Sequence, residues 1–170
     1  MIAYVSIGTN DRAAARRFYL AVLPALGYAL EERSDGLSFT QPAPPGHAFP
    51  PPDFYVKTPF DGQPASTGNG TMVAFEAANR AQVRDLHAAG LAAGGRDEGA
   101  PGYREAYGPR FFVAYLRDPD GNKLALFSAN DDERRSDDEG FVNPTANLVT
   151  NVTNVTNPAT PAATPSTSEG

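Results

Sequence analysis

An internal repeat constrains the fold of this chain more than any other feature of its sequence. When Tyr4 is placed on Met72, the segments 4–27 and 72–95 align without a gap. Identical pairs include Val5/Val73, Arg12/Arg80, Ala13/Ala81, Arg16/Arg84, Ala21/Ala89, Leu23/Leu91 and Gly27/Gly95. A repeat of this kind indicates two similar structural units that were built from one pattern.

Each copy reads as a strand followed by an amphipathic helix. The strands are "AYVSIG" and "TMVAFEA", and Asn10 or Asp11 in the first copy and Asn79 in the second are suited to N-cap a helix. Apolar residues then recur at helical spacing: Ala14, Phe18, Val22 and Leu26 in one copy; Val83, Leu86, Ala89 (or Gly90) and Ala93 in the other. We expect the helices to end near Gly27 and near Gly94-Gly95, where a C-cap needs a positive φ.

Three shorter strands are predicted after each helix. They are "YALEE", "GLSFTQ" and "DFYVKT" in the first half, and a poorly defined strand around "RDEGA", then "FFVAYLR" and "KLALFS", in the second. The sequence therefore predicts an α+β domain over 1–129, made of two βαβββ halves at 1–60 and 69–129. Halves of about 60 residues bury little surface alone, so we expect them to share one core.

Composition separates a tail from this domain and bears on partners. Most of the net charge of −6 lies beyond Ala129, and residues 130–170 are first acidic and then rich in Thr, Asn and Pro, which predicts disorder. The near-neutral body has no basic patch, which argues against nucleic-acid binding. No apolar run is long enough to span a membrane, and the start "MIAYVSIG" does not read as a signal peptide, so we expect a cytosolic protein.

Three stretches in order carry a family resemblance. They are "YVSIGTNDRAAARRFYLAVLPALGY", "PFDGQPASTGNGTMVAF" and "GYREAYGPRFFVAYLRDPDGNKLALF". With the repeat, they make roughly residues 1–128 resemble the vicinal oxygen chelate superfamily, which includes glyoxalase I, bleomycin- and fosfomycin-resistance proteins and extradiol dioxygenases. The resemblance implies paired βαβββ modules that form a half-open, U-shaped mixed sheet around a cavity.

Metal-using members of that superfamily hold one divalent ion with a His on the first strand of each half and a Glu on the last strand. The matching positions here carry Tyr4, Met72 and Ala125, and "DFYVKT" offers only Asp53 at its edge. Alanine has no donor atom, and methionine sulfur is a soft ligand. His47 in the Pro-rich loop and His87, expected as an exposed residue of the second helix, do not replace the set. We therefore expect neither metal nor another cofactor.

Strand alternation predicts which side chains line the cavity. Tyr4, Ser6, Met72 and Ala74 should face it, with Val5, Ile7, Val73 and Phe75 on the helix side. If the loop of the final hairpin has four residues, Phe112, Ala114, Ala125 and Phe127 share the cavity face. The resemblance adds Tyr103, Arg104, Tyr107 and Arg110 from the segment that rims the cavity in relatives.

These observations favour a protein that binds a small organic molecule in a metal-free cavity. The alternative is a lyase, isomerase or dioxygenase relative that acts without metal or with ligands not recognised here. A third reading is a catalytically inactive paralogue kept as a partner subunit. No catalytic residue is assigned. A homodimer stays open, because many relatives build their cavities across two chains.

Overall fold

The computed structural model describes residues 2–129, and the predicted tail at 130–170 lies outside the described residues. The first half contains β1 (Tyr4–Gly8), α1 (Arg12–Val22), a 3₁₀ turn (Pro24–Leu26), β2 (Ala29–Arg33), β3 (Gly36–Thr40) and β4 (Asp53–Lys57). The second contains β5 (Met72–Glu76), α2 (Arg80–Ala92), β6 (Arg96–Tyr103), a 3₁₀ turn (Glu105–Tyr107), β7 (Phe112–Arg117) and β8 (Lys123–Ser128). No helix in this part of the chain is long and apolar enough to cross a bilayer.

The strands form two four-stranded mixed sheets with the same topology. The first has the order β1-β4-β3-β2 and the second β5-β8-β7-β6. In each, the strand before the helix pairs in parallel with the last strand of its half, and the other pairs are antiparallel. The predicted α+β class and the paired βαβββ arrangement are therefore confirmed. Within residues 2–129 no strand pairing joins the two sheets, so β1 and β5 each keep one free edge.

Helix α1 begins as predicted and ends earlier than predicted. Asp11 is the N-cap, and its carboxylate accepts a hydrogen bond from the Ala14 backbone N–H at 2.9 Å. The α-helix stops at Val22 because Pro24 cannot donate the backbone hydrogen bond that would continue it. A 3₁₀ turn follows, and Gly27, at φ 90°, ends that turn instead of the helix.

Helix α2 matches its prediction more closely. The Asn79 side chain accepts from the Gln82 backbone N–H at 2.8 Å, which is the predicted N-cap. The helix ends at Ala92, and Gly94 then takes the left-handed conformation at φ 103°. The absence of a proline in this last turn is what distinguishes it from α1.

One hydrophobic core serves both halves. Phe18 and Val22 of α1 lie in the same buried cluster as Val83 and Leu86 of α2. Across the halves, the ring of Phe54 meets that of Phe75 edge to face at 5.3 Å. The helix sides of both sheets pack into this core. The opposite side of each sheet is therefore left open, and these two open faces carry the candidate site.

Candidate functional site

The turn "DPDGN" between β7 and β8 fastens the two halves together. Asn122 donates through Nδ2 both to the Gly8 carbonyl, at 3.1 Å, and to Asp118, at 2.9 Å. Asp120 accepts from the Asn10 backbone N–H at 2.8 Å and from the Thr9 hydroxyl. The turn therefore binds the end of β1 and the loop after it. Here the role of this strongly specified turn is to hold the two halves of the domain in contact.

The open face of the first sheet is polar and aromatic. Tyr4 and Ser6 project onto it from β1, and their parallel partners on β4 are Asp53 and Tyr55. The Tyr4 side chain is 61% exposed, and its ring lies 5.5 Å from that of Tyr55. Val5 and Ile7 pack on the core, so the predicted alternation of β1 is confirmed.

Tyr55 is held in its protonated form by a neighbouring carboxylate. Its hydroxyl donates to Asp53 Oδ2 at 2.8 Å. This hydrogen bond, together with desolvation and the charge of Asp53, raises the pKa of Tyr55 above its ordinary value. Lys57 lies 5.0 Å from the same ring, with its ammonium bound to Asp35 at 2.7 Å. The phenol of Tyr55 therefore keeps its proton, which it donates to Asp53 in this hydrogen bond.

The open face of the second sheet has a floor of small residues. Ala74 of β5 lies directly opposite Ala125 of β8, and Met72, 45% exposed, lies opposite Lys123. Phe127 follows on the same face of β8, and Ala125 in turn lies opposite Tyr115 of β7. Met72, Ala74, Ala125 and Phe127 thus share a face as predicted, and Tyr115 joins them.

The register of the final hairpin contradicts part of the predicted lining. Arg117 pairs with Lys123, so the loop has five residues, 118–122, and not four. One extra residue reverses the face that β7 presents. Phe112 and Ala114 consequently lie opposite Ser128 and Leu126 and are buried in the core; placing them on the open face was wrong.

Tyr103 also lies on the helix side of the second sheet. It pairs with Phe112, and the two rings meet edge to face at 5.2 Å. Its hydroxyl accepts a hydrogen bond from Arg80 of α2. The expectation that Tyr103 rims the cavity is therefore not met, because the same register that buries Phe112 turns Tyr103 toward α2.

The other residues predicted for the rim lie near the open face or on the loop beside it. The guanidinium of Arg104 lies 5.6 Å from the Tyr115 ring centre. Tyr107, in the 3₁₀ turn, packs edge to face on Phe111, whose ring stacks on Phe127 at 5.3 Å and 22°. Arg110 is exposed on the loop before β7. An aromatic wall thus continues from Phe127 outward along this loop.

Cations flank one end of the same face. Arg117 donates to Glu98 Oε1 at 2.7 Å, and the Lys123 ammonium lies 3.7 Å from that oxygen. These contacts lower the pKa of Glu98, with the hydrogen bond from Arg117 as the largest cause. Arg96 pairs with Arg117 in the sheet register. Two cations, Arg117 and Lys123, therefore contact one carboxylate, and Arg96 lies beside Arg117 on the neighbouring strand.

Two open cavities adjoin β5. One, of 560 Å³, is lined by residues 67–72 together with Arg117 and Lys123. The other, of 500 Å³, is lined by residues 74–78, at the end of β5 and just beyond it, and by Tyr28 and Gln41 of the first half. Burial, followed by the charge of Asp53, raises the pKa of Tyr28. The two cavities lie at opposite ends of the open strand.

The metal centre implied by the family resemblance does not fit this site. Tyr4 is exposed on the first sheet, whereas Met72 and Ala125 belong to the second. Ala125 has no donor atom, and its cross-strand neighbour Ala74 has none either. Across residues 2–129 no group of three or more His, Cys, Asp or Glu side chains is arranged to hold a metal ion. The donor set is thus unsuitable for the usual divalent ions.

Neither histidine restores such a centre. His47 is exposed in the Pro-rich loop. His87 was expected to be an exposed helical residue, which is wrong: it is buried, and its Nε2 lies 3.1 Å from Asp97 Oδ1 of β6. It is buried because the side of α2 that carries it packs against β6, which the sequence left poorly defined.

Several residues of the open faces were missed by sequence reasoning. Tyr55 could have been found, because "DFYVKT" alternates Asp53, Tyr55 and Lys57 on one side of its strand. Tyr115 and Arg117 could not, since their side depends on the length of the following loop. Lys123 had a signal: it stands two residues before Ala125 in the same strand.

Comparison with known proteins identifies the family. The sequence model of the Glyoxalase/Bleomycin resistance protein/Dioxygenase superfamily matches residues 1–126. A solved glyoxalase/bleomycin resistance protein from Albidiferax ferrireducens T118 is similar, at 36% identity and a TM-score of 0.65, over 75% of this chain and 98% of that one. No curated protein matches the chain.

More distant structures share the fold alone. A glyoxalase-related enzyme from Fulvimarina pelagi has 19% identity and a TM-score of 0.56, over 75% of this chain and 87% of that one. A glyoxalase/bleomycin resistance protein/dioxygenase family enzyme from Burkholderia phytofirmans PsJN has 18% identity and a TM-score of 0.55, over 75% and 98%. With the superfamily match over most of its length, this chain belongs to the Glyoxalase/Bleomycin resistance protein/Dioxygenase superfamily, the vicinal oxygen chelate proteins.

Proposed function

We propose that this protein binds a small organic molecule on the open face of its second sheet without a metal ion. The observation that carries the proposal is the floor formed by Ala74 and Ala125, at the position where metal-using relatives place a ligand. Ala74 is exposed on this face, Ala125 beside it is buried, and Phe127 and Tyr115 on the same face supply aromatic side chains. Binding sites for small molecules combine such apolar walls with a few polar groups.

The test combines metal analysis with a neutral fluorescent probe. The untagged full chain, purified under native conditions, is analysed for bound metals by mass spectrometry, and Nile red fluorescence is then titrated with and without a chelator. We expect far less than one metal ion per chain and an unchanged dye signal in chelator. The Ala74→Phe variant, which fills the floor from an exposed strand, should weaken dye binding.

A matched variant makes this experiment specific. Ala13→Phe places the same side chain on the exposed side of α1, away from the open face, and should bind the dye like the parent chain. A stoichiometric ion whose removal abolishes binding would overturn the proposal. Equal dye binding by Ala74→Phe and the parent chain would overturn it as well, because the probe would then lie elsewhere.

An enzyme of the lyase, isomerase or dioxygenase type is the second candidate. Tyr55 favours it, because its phenol and the Asp53 carboxylate form a hydrogen-bonded pair on the open face of the first sheet, and such a pair can pass a proton to or from a bound compound. Because Tyr55 lies on the first sheet and the proposed binding face on the second, catalysis by Tyr55 would require both open faces to contact one molecule. The measurement that separates the two candidates is turnover of a compound that the protein binds. An enzyme of this type should lose turnover in the Tyr55→Phe variant while the variant keeps the affinity of the parent chain for the compound.

We also propose that two copies associate through the free edges of β1 and β5. Both edges carry exposed apolar side chains, Tyr4 and Met72. Exposed strand edges are ready to pair, and equivalent edges in two similar halves suit a twofold dimer. Such a dimer could bring the open face of the first sheet of one copy beside that of the second sheet of the other.

A further inference from the structure

A row of three cations crosses the second sheet at one end of its open face. Arg96, Arg117 and Lys123 are successive partners in the register of β6, β7 and β8, and Met72 completes the row on β5. Glu98 is the carboxylate that contacts Arg117 and Lys123. The row therefore keeps a surplus of positive charge, although the whole chain has a net charge of −6. A local surplus of positive charge on a near-neutral domain favours an anionic partner.

The two contacting cations are held differently. Arg117 is fixed through both terminal nitrogens, with Nη1 donating to the Gly121 carbonyl at 2.8 Å and Nη2 to Glu98 at 2.7 Å. The Lys123 ammonium lies 3.7 Å from Glu98, beyond hydrogen-bond distance, and is 30% exposed. Lys123 can therefore turn toward a ligand at little cost, while Arg117 adds fixed charge beside it.

A cavity opens where this charge lies. Its walls include Arg117, Lys123, Met72 and the hydroxyl residues Thr67 and Thr71, and its volume is 560 Å³. Hydroxyl groups and ammonium groups together provide the donors that an oxyanion accepts. The cavity is large enough for a carboxylate or phosphate group and open enough for the rest of a ligand to leave it.

The neighbouring row of the sheet suits an apolar body. Residues two apart on one face of a strand lie about 7 Å apart, which is comparable with the length of a phenyl ring and its substituent. The row next to the cations contains Ala74, Ala125 and Tyr115, and the Tyr115 ring centre lies 5.1 Å from the Lys123 ammonium. Phe127 closes the far side, one row on.

We propose that the ligand is an oxyanion, a carboxylate or a phosphate, attached to a flat apolar group. The anion binds at Lys123 and Arg117, and the apolar group lies over Ala74, beside the ring of Tyr115. This inference deepens the proposed function and depends on it. The two residues that recognise the anion, Arg117 and Lys123, lie at the end of β7 and the start of β8.

Calorimetry on the full chain tests the charge requirement. Benzoate and phenyl phosphate are titrated beside two probes of similar shape, the neutral benzyl alcohol and the cationic benzylamine. We expect at least one anion to bind about tenfold more tightly than either control, as one charge-assisted hydrogen bond would give. Preference for benzoate identifies a carboxylate ligand, and preference for phenyl phosphate identifies a phosphate ligand.

Single substitutions locate the anion. Lys123→Gln should weaken binding of the preferred anion about tenfold and should change the affinity for Nile red far less. Arg16→Gln removes a cation that pairs with Glu32 on the exterior of α1, and should leave anion affinity unchanged. Circular dichroism and the thermal midpoint of each variant establish that it is folded.

The outcomes separate this inference from the proposed function. If benzyl alcohol binds as tightly as the anions, or if Lys123→Gln binds them like the parent chain, the anion assignment is wrong while metal-free binding stands. If none of the four compounds binds but Nile red does, the assigned ligand class is again wrong. If neither the compounds nor the dye binds, both proposals fail.

Discussion

The phenol of Tyr19 donates a 2.7 Å hydrogen bond to the carboxylate of Asp118, and both side chains are fully buried. Tyr19 belongs to α1 of the first half and Asp118 to the turn of the second. Burial, reinforced by the charge of Asp118, raises the pKa of Tyr19 well above its ordinary value. The phenol is therefore a permanent donor, and the pair joins the two halves inside the shared core.

Removing this donor should destabilise the whole domain. Tyr19→Phe keeps the ring and leaves the buried carboxylate of Asp118 with one hydrogen bond fewer, so we expect the free energy of unfolding to fall by about 1–3 kcal/mol. Urea denaturation followed by circular dichroism measures it. Tyr107→Phe, at a side chain that is 70% exposed, is the matched control and should stay within about 0.5 kcal/mol of the parent chain. Equal stability of both variants would contradict the role of the pair.

Close packing at Gly95 gives a second prediction about the junction of the halves. A Cβ on Gly95 would lie 2.9 Å from the Gly90 carbonyl oxygen, 3.1 Å from that of Arg117 and 2.5 Å from Phe18 Cε2. Backbone atoms cannot move aside as a flexible side chain can, so Gly95→Ala should cost about 1–3 kcal/mol. Thermal denaturation measures the effect, and an unchanged midpoint would mean that the atoms around Gly95 can move aside at little cost.

Asp97 should contribute to stability in a pH-dependent way. Hydrogen bonds from the Gly99 backbone N–H and from His87 lower the pKa of Asp97. Because the folded pKa lies below the unfolded value of about 4, this contribution is complete above that pH and is lost as the pH falls through the folded pKa.

The measurement compares Asp97→Asn with the parent chain by urea denaturation from pH 7 to pH 2.5. We expect the parent to be more stable at pH 7 and the difference to shrink below pH 4, reaching a minimum at the acid end. Because Asp97 is about half exposed, the effect should be small and should fall with added salt. A difference that stays constant over the whole range would rule out the ionised carboxylate as its source.

The proposed dimer makes a prediction at the free edge of β5. Met72→Asp places a charge among the exposed apolar residues of that edge and should shift the chain toward monomer in sedimentation velocity. Phe60→Asp, at a fully exposed phenylalanine of the segment between the halves, is the matched control and should leave the assembly unchanged. A parent chain that sediments as a monomer at all concentrations would remove the dimer proposal.

The local pattern in the sequence was sufficient for the elements of the fold. Alternation placed Tyr4 and Val5 on opposite sides of β1, and the caps at Asp11 and Asn79 follow from side chains that bond the first turn of their own helix. These features depend on neighbours a few residues away. The end of α1 was mispredicted because Pro24 outweighed the helical spacing that continued to Leu26.

The candidate site was predictable to a smaller extent, for a physical reason. The sequence by itself determined that the family positions carry Tyr4, Met72 and Ala125, because identity at a motif position needs no coordinates. Only the tertiary structure decided that Tyr115 faces outward while Phe112 and Ala114 are buried. The side chains of a strand alternate with a period of two, so one residue more in the loop before β8 reverses the side on which every side chain of the paired strand lies. The length of that loop is fixed by contacts of the Asp118 turn with the other half of the chain.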